Sequence, residues 1–236
     1  MGEMVEFPAN GHTCSGYLAT PQSGRGPGVV VIQEWWGLVQ HVKDVCERLA
    51  GEGFVALAPD LYHGKSASTK EPDVAGKLLM EMQLPDAARD MKGAAAWLVA
   101  DERTAGDRVG IVGFCAGGAL ALYAATLTDQ IAATVAFYPY FSRTQSAQPD
   151  YGRVSGAVQG HFGDNDEAYT REQVDRVAEQ LRQGGAEVEF HWYAGGHHAF
   201  FNDDRPEVFQ QDHADLAWER TLSFFRKHLA TTPAPV

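Results

Sequence analysis

Gly28-Val29-Val30-Val31-Ile32 has no polar residue at any alternate position, so a strand built from it must be covered on both faces. Val55-Ala56-Leu57-Ala58-Pro59 has the same character, and residues 108–113, 133–138, 157–162 and 187–193 continue the series. Between these runs the apolar residues change period. Leu38, Val42, Val45 and Leu49 recur at helical spacing, as do residues around 74–82, 86–99, 117–127, 171–182 and 213–229. Parallel neighbours need a crossover connection, so alternating strands and helices predict an α/β fold with a mostly parallel central sheet and helices on both faces. Ahead of the first buried run, residues 4–8 and 12–20 flank Asn10-Gly11, a dipeptide that tolerates the positive φ of a tight turn. An N-terminal antiparallel hairpin is expected there. Residues 1–236 read as one domain, with a frayed tail over 230–236.

The formal charge is −12 and no run of Lys and Arg forms a basic patch, which argues against nucleic acid and anionic membrane as partners. The start lacks the basic and apolar regions of a secretory signal, and no apolar stretch reaches the roughly 18 residues needed to span a bilayer. A soluble, cytoplasmic protein is expected, as a monomer or small homo-oligomer. Cys14, Cys46 and Cys115 are an odd number at wide spacing, which fits neither a disulfide framework nor paired metal-ligand motifs. No metal or cofactor is expected.

Sites in such sheets lie beyond the carboxyl ends of the strands. Four strand ends here lead into Gln33-Glu34-Trp35-Trp36-Gly37, Gly113-Phe114-Cys115-Ala116-Gly117-Gly118, Gly163-Asp164-Asn165-Asp166 and Gly195-Gly196-His197-His198. Gly113-x-Cys115-x-Gly117 between a strand and a helix has the form of a nucleophile elbow with sulfur in place of a hydroxyl. Cys115, Asp166 and His198 follow the chain order of the hydrolase triad, in which the imidazole takes the nucleophile's proton and the carboxylate fixes its tautomer. Of the neighbouring candidates, Asp164 is expected to bond its own turn, and His198 is preferred to His197 because the Ala199-Phe200 that follows it matches the pattern of the family that the sequence resembles. Cys14 and Cys46 read as core or surface thiols, and His12, His41, His63, His161, His191, His213 and His228 as ordinary polar or packing residues.

With these pieces the sequence resembles the dienelactone hydrolase family, the carboxymethylenebutenolidase-like branch of the α/β hydrolases. The resemblance rests on Gln33-Glu34-Trp35-Trp36-Gly37, Ala58-Pro59-Asp60-Leu61-Tyr62, the elbow, Gly163-x-x-Asp166 and His198-Ala199-Phe200-Phe201-Asn202, which together span nearly the whole chain. It implies a Cys115-His198-Asp166 triad with Glu34 beside the thiol, an oxyanion hole from the backbone N–H groups of Trp35 and Ala116, and hydrolysis of small lactones or enol esters without a cofactor. It also implies two arginines that clamp a substrate carboxylate, one of them four residues after the histidine. That position is Asn202 here. The aromatic residues at the strand ends, including Trp36, Tyr138, Tyr140 and Phe200, instead suggest a pocket for a more apolar substrate.

A free thiol has a pKa of about 8.5, and a helix N-terminus or a protonated histidine favours its thiolate while an adjacent carboxylate opposes it. The resting thiol is therefore expected to be largely neutral and held against Glu34 until substrate displaces that carboxylate. A competing reading is a noncatalytic thiol sensor or partner-binding protein on a hydrolase fold, which would not need all three of Cys115, Asp166 and His198. A nucleotide-binding domain is disfavoured, because Gln33–Gly37 offers bulk where a pyrophosphate needs bare backbone.

Overall fold

The computed structural model describes residues 2–9 and 11–230. Strands β1 (Glu3–Pro8), β2 (Thr13–Ala19), β3 (Gly28–Ile32), β4 (Val55–Pro59), β5 (Val109–Phe114), β6 (Ile131–Phe137), β7 (Ala157–Gly163) and β8 (Val188–Tyr193) form one sheet in the order β1-β2-β4-β3-β5-β6-β7-β8. β2 runs antiparallel to both β1 and β4, and every pairing from β4 to β8 is parallel. β3, β4, β5 and β7 are buried along their whole length, as a sheet covered on both faces requires. The hairpin is present, with Gly11 at φ +115°, while its turn partner Asn10 lies outside the described residues, as does the expected frayed tail beyond 230.

Helices α1 (Gln40–Gly51), α2 (Pro72–Glu81), α3 (Leu84–Ala100), α4 (Ala116–Ala125) and α5 (Arg171–Gln183) lie in crossovers between strands, and α6 (Gln211–His228) follows the last strand. α1 and α6 meet on one face, where the Arg48 guanidinium lies 4.3 Å from the Trp218 ring centre and Phe54 packs on Phe225. α3 and α4 touch each other over the opposite face. α4 is apolar nearly all round and is buried nearly all round, because β5 and β6 lie beneath it and α3 beside it. Among the described residues no helix is long and apolar enough to cross a membrane.

Candidate active site

The turn from β5 into α4 forces Cys115 to φ +55°, ψ −119°, a region that costs a non-glycine residue about 1–3 kcal/mol. The surrounding backbone pins it there. Cys115 N–H donates to the Phe137 carbonyl at 3.0 Å, and its own carbonyl accepts from Tyr140 and Gly118 at 2.9 and 3.0 Å. The flanking glycines are steric necessities: a Cβ on Gly113 would strike the Gly117 backbone, and one on Gly117 would strike the carbonyls of Ile32 and Gln33. The sharp turn therefore lifts the sulfur above the sheet edge and aims the start of α4 at it.

His198 and Asp166 arrive from the ends of β8 and β7, which lie beyond β6 in the sheet. Cys115 Sγ lies 3.1 Å from His198 Nε2, and His198 Nδ1 lies 2.7 Å from Asp166 Oδ2. The Asp166 side chain is fully buried, and its other oxygen accepts from the Ala168 N–H at 2.8 Å. Asp164 does not bond its own turn as expected. It accepts from Gly195 N–H at 2.6 Å, while Asn165 N–H donates to the Gly196 carbonyl, so the loop after β7 is knitted to the one that carries His198. Burial disfavours the His198 imidazolium, but the hydrogen bonds to Asp166 and Cys115 and their charges outweigh it and raise its pKa to about 10. At neutral pH this arrangement favours an imidazolium that donates to the carboxylate on one side and to sulfur on the other.

Glu34 and Trp35 lie on the same cleft as Cys115 and His198. The Glu34 carboxylate is not held against the thiol: its Oε2 accepts from Asn202 Nδ2 at 2.7 Å, and its Oε1 is buried without a hydrogen-bond partner. The buried Tyr138 hydroxyl lies beside this carboxylate, and burial first, then the charges of Glu34 and Cys115 and the contact with the Glu34 side chain, push its pKa well up. Among the described residues the backbone N–H groups of Trp35 and Ala116 form no hydrogen bond within the protein, and Ala116 is the first residue of α4, where such N–H groups are left over.

The cleft measures about 460 Å³. Of Trp36, Tyr138, Tyr140 and Phe200, Tyr140 alone lines it, alongside Trp35. Trp36 is folded beneath the loop at Ser66, against Ala67 and Ala75. Phe200 is fully buried among Tyr193, Tyr138 and Phe137, and Tyr138 lies beneath His198 with ring centres 5.2 Å apart. These side chains point under the rim and support the triad from below. The walls come instead from Leu79 and Met80 of α2 and from Arg205. Met80 is 79% exposed, an apolar side chain in solvent beside the opening. Reading by strand ends overlooked Leu79 and Met80, since α2 is remote in sequence, whereas Arg205 had a signal in its closeness to His198, where an arginine could stand in for the one absent at position 202.

The sequence model of the dienelactone hydrolase family matches residues 14–229. Protein usf of Aquifex pyrophilus is 38% identical over 97% of this chain and 100% of its own. An Aquifex aeolicus protein provisionally named a carboxymethylenebutenolidase is 36% identical over the same shares. A crystal structure from Klebsiella pneumoniae, provisionally described as a dienelactone hydrolase, superposes with a TM-score of 0.83 at 26% identity, covering 96% of this chain and 98% of that one.

Proposed function

The chain belongs to the dienelactone hydrolase family, and from that premise we propose that it opens a lactone or an activated enol or aryl ester through Cys115, His198 and Asp166 and a thioester acyl-enzyme. The observation that carries this reading is the unbroken line from Asp166 Oδ2 to His198 Nδ1 at 2.7 Å and from His198 Nε2 to Cys115 Sγ at 3.1 Å, set on the wall of an apolar cleft.

Cys115 sulfur, its proton held on His198, attacks the substrate carbonyl carbon. The carbonyl π electrons move to oxygen, and the oxyanion is met by the N–H groups of Trp35 and Ala116, with the positive end of α4 behind them. As the tetrahedral centre collapses, the C–O bond to the leaving oxygen breaks and His198 Nε2 returns its proton to that oxygen. A lactone ring opens at this step, and an ester loses its alcohol. Asp166 keeps Nδ1–H in place and stabilises the imidazolium before the transfer. Water deprotonated by the now neutral His198 then attacks the thioester, and the acid leaves with regeneration of the thiolate–imidazolium pair.

Thiolate is itself a good leaving group, so the first intermediate goes forward only when the departing oxygen is comparably good. Enols and phenols meet that condition and amines do not, which makes amides poor substrates. The cleft wall of Leu79, Met80 and Tyr140 favours an apolar substrate body. An aryl-acetate assay tests the reading: a burst of phenol at one equivalent per enzyme is expected, and prior alkylation of the thiol removes it. Turnover that survives alkylation without a burst is the result expected of a protein whose thiol is not the nucleophile.

A further inference from the structure

Away from Cys115 the fold brings together three side chains of ligand type from distant segments. His12 sits at the entrance to β2, His63 in the turn after β4, and Asp90 on α3. His12 Nε2 lies 2.6 Å from Asp90 Oδ1 and His63 Nε2 lies 3.3 Å from Asp90 Oδ2. One donor atom from each residue falls within 4.8 Å of the other two. The Asp90 side chain is fully buried, whereas the imidazoles are 33% and 48% exposed, so solvent reaches the cluster from the histidine side.

Two features mark this as more than a pair of surface histidines. First, Asp90 Oδ2 is buried, with the His63 imidazole at 3.3 Å and the buried Cys14 thiol beside the carboxylate, and a buried carboxylate oxygen without a full hydrogen bond is unfavourable unless a cation meets it. Second, the turn that presents His63 is shaped for the purpose. Asp60 accepts from the N–H groups of Tyr62 and Gly64, and the chain between them carries His63 at φ +51°, a conformation that favours glycine.

We propose that His12, His63 and Asp90 form a binding site for a divalent transition metal of the zinc class. Two imidazole nitrogens and one carboxylate oxygen suit such an ion, whereas magnesium and calcium prefer all-oxygen shells. With bonds of about 2.0–2.2 Å, donor atoms around a tetrahedral ion stand roughly 3.3 Å apart. The His63 Nε2–Asp90 Oδ2 separation already has that length, while His12 Nε2 stands 2.6 Å from the other oxygen, Oδ1, so the imidazole rings must turn for both nitrogens to meet one ion. Solvent supplies the fourth position. The bound ion ties the hairpin, the turn after β4 and α3 together. It also acts on the neighbour of His63, Tyr62, whose hydroxyl donates to the carbonyl of Trp35 on the cleft wall at 3.2 Å. Cysteine spacing gives no hint of this site, since its ligands are no closer in sequence than His63 and Asp90.

The test is a calorimetric titration with zinc chloride of the EDTA-treated full chain carrying Cys115→Ala, which removes the competing thiol of the cleft. One equivalent is expected to bind at micromolar affinity or tighter. His63→Ala, at a half-exposed position, and Asp90→Asn are each expected to weaken binding by about tenfold or more. Should Asp90→Asn not fold, His63→Ala alone decides. Cobalt(II) in the same protein is expected to give visible ligand-field absorption without a thiolate band. Affinity unchanged by His63→Ala, binding no tighter than millimolar, or a thiolate-to-cobalt band would each overturn the site.

Discussion

Asn202 Nδ2 donates to Glu34 Oε2 at 2.7 Å, so the buried carboxylate beside the nucleophile is held by a neutral amide. No cation stands in that contact to cancel the charge of Glu34, and its field is felt nearby: it helps to raise the pKa values of the buried Tyr138 and, together with Asp203, of His41. The thiol is left to pair with His198 alone.

Removing the amide leaves a buried carboxylate oxygen without a partner. Asn202→Ala is expected to lower the free energy of unfolding by about 1–3 kcal/mol, read from urea denaturation at pH 7. Unchanged stability means that Glu34 finds another donor, with the Tyr138 hydroxyl the nearest candidate by charge and burial.

The pKa of His198 depends in part on Cys115, and thioester formation removes both the charge of the sulfur and its role as hydrogen-bond acceptor. Burial, which lowers the value, remains. His198 in the acyl-enzyme therefore titrates below about 10, and the neutral base that deacylation requires is available nearer to neutrality. The sign follows: the single-turnover deacylation rate rises with pH to a plateau, with a midpoint below about 10. Asp166→Asn removes a further raising contact, so it should move the midpoint lower still and reduce the plateau on the order of 10²–10⁴-fold. Stopped-flow decay of an isolated acyl-enzyme measures both, and a pH-independent rate contradicts the assignment.

The sheet was legible because β3, β4 and β5 are apolar at successive positions, a pattern that only a doubly covered strand satisfies. Cys115, His198 and Asp166, which lie within hydrogen-bond distance in series, could be placed because strand ends converge on one rim, from chain order, turn glycines and, for His198 over His197, the Ala199-Phe200 of the family pattern. Side-chain direction was not legible. Trp36, Tyr138 and Phe200 sit at strand ends, yet each turns beneath the rim, and a residue's distance from a strand end does not say which way it faces. Glu34 lines the same cleft as the thiol, but it is held by Asn202, 168 residues away, and not against the sulfur. The cleft wall from α2 is a long-range packing result that no local pattern encodes.

Leu79 supplies apolar surface to the cleft without touching the triad by hydrogen bond or charge. Leu79→Asp is expected to lower kcat/KM for long-chain aryl esters by about tenfold, the loss of one well-buried aliphatic contact, and to affect aryl acetate less. Equal losses on both substrates indicate that the acyl or aryl group does not rest on α2.

The most direct measurement is mass spectrometry of the enzyme acid-quenched during turnover of a slowly deacylated aryl ester. One acyl mass per chain is expected on the peptide containing Cys115, labile to hydroxylamine and absent, together with turnover, from Cys115→Ala. Turnover retained by Cys115→Ala, or an adduct on any other residue, contradicts the thioester mechanism.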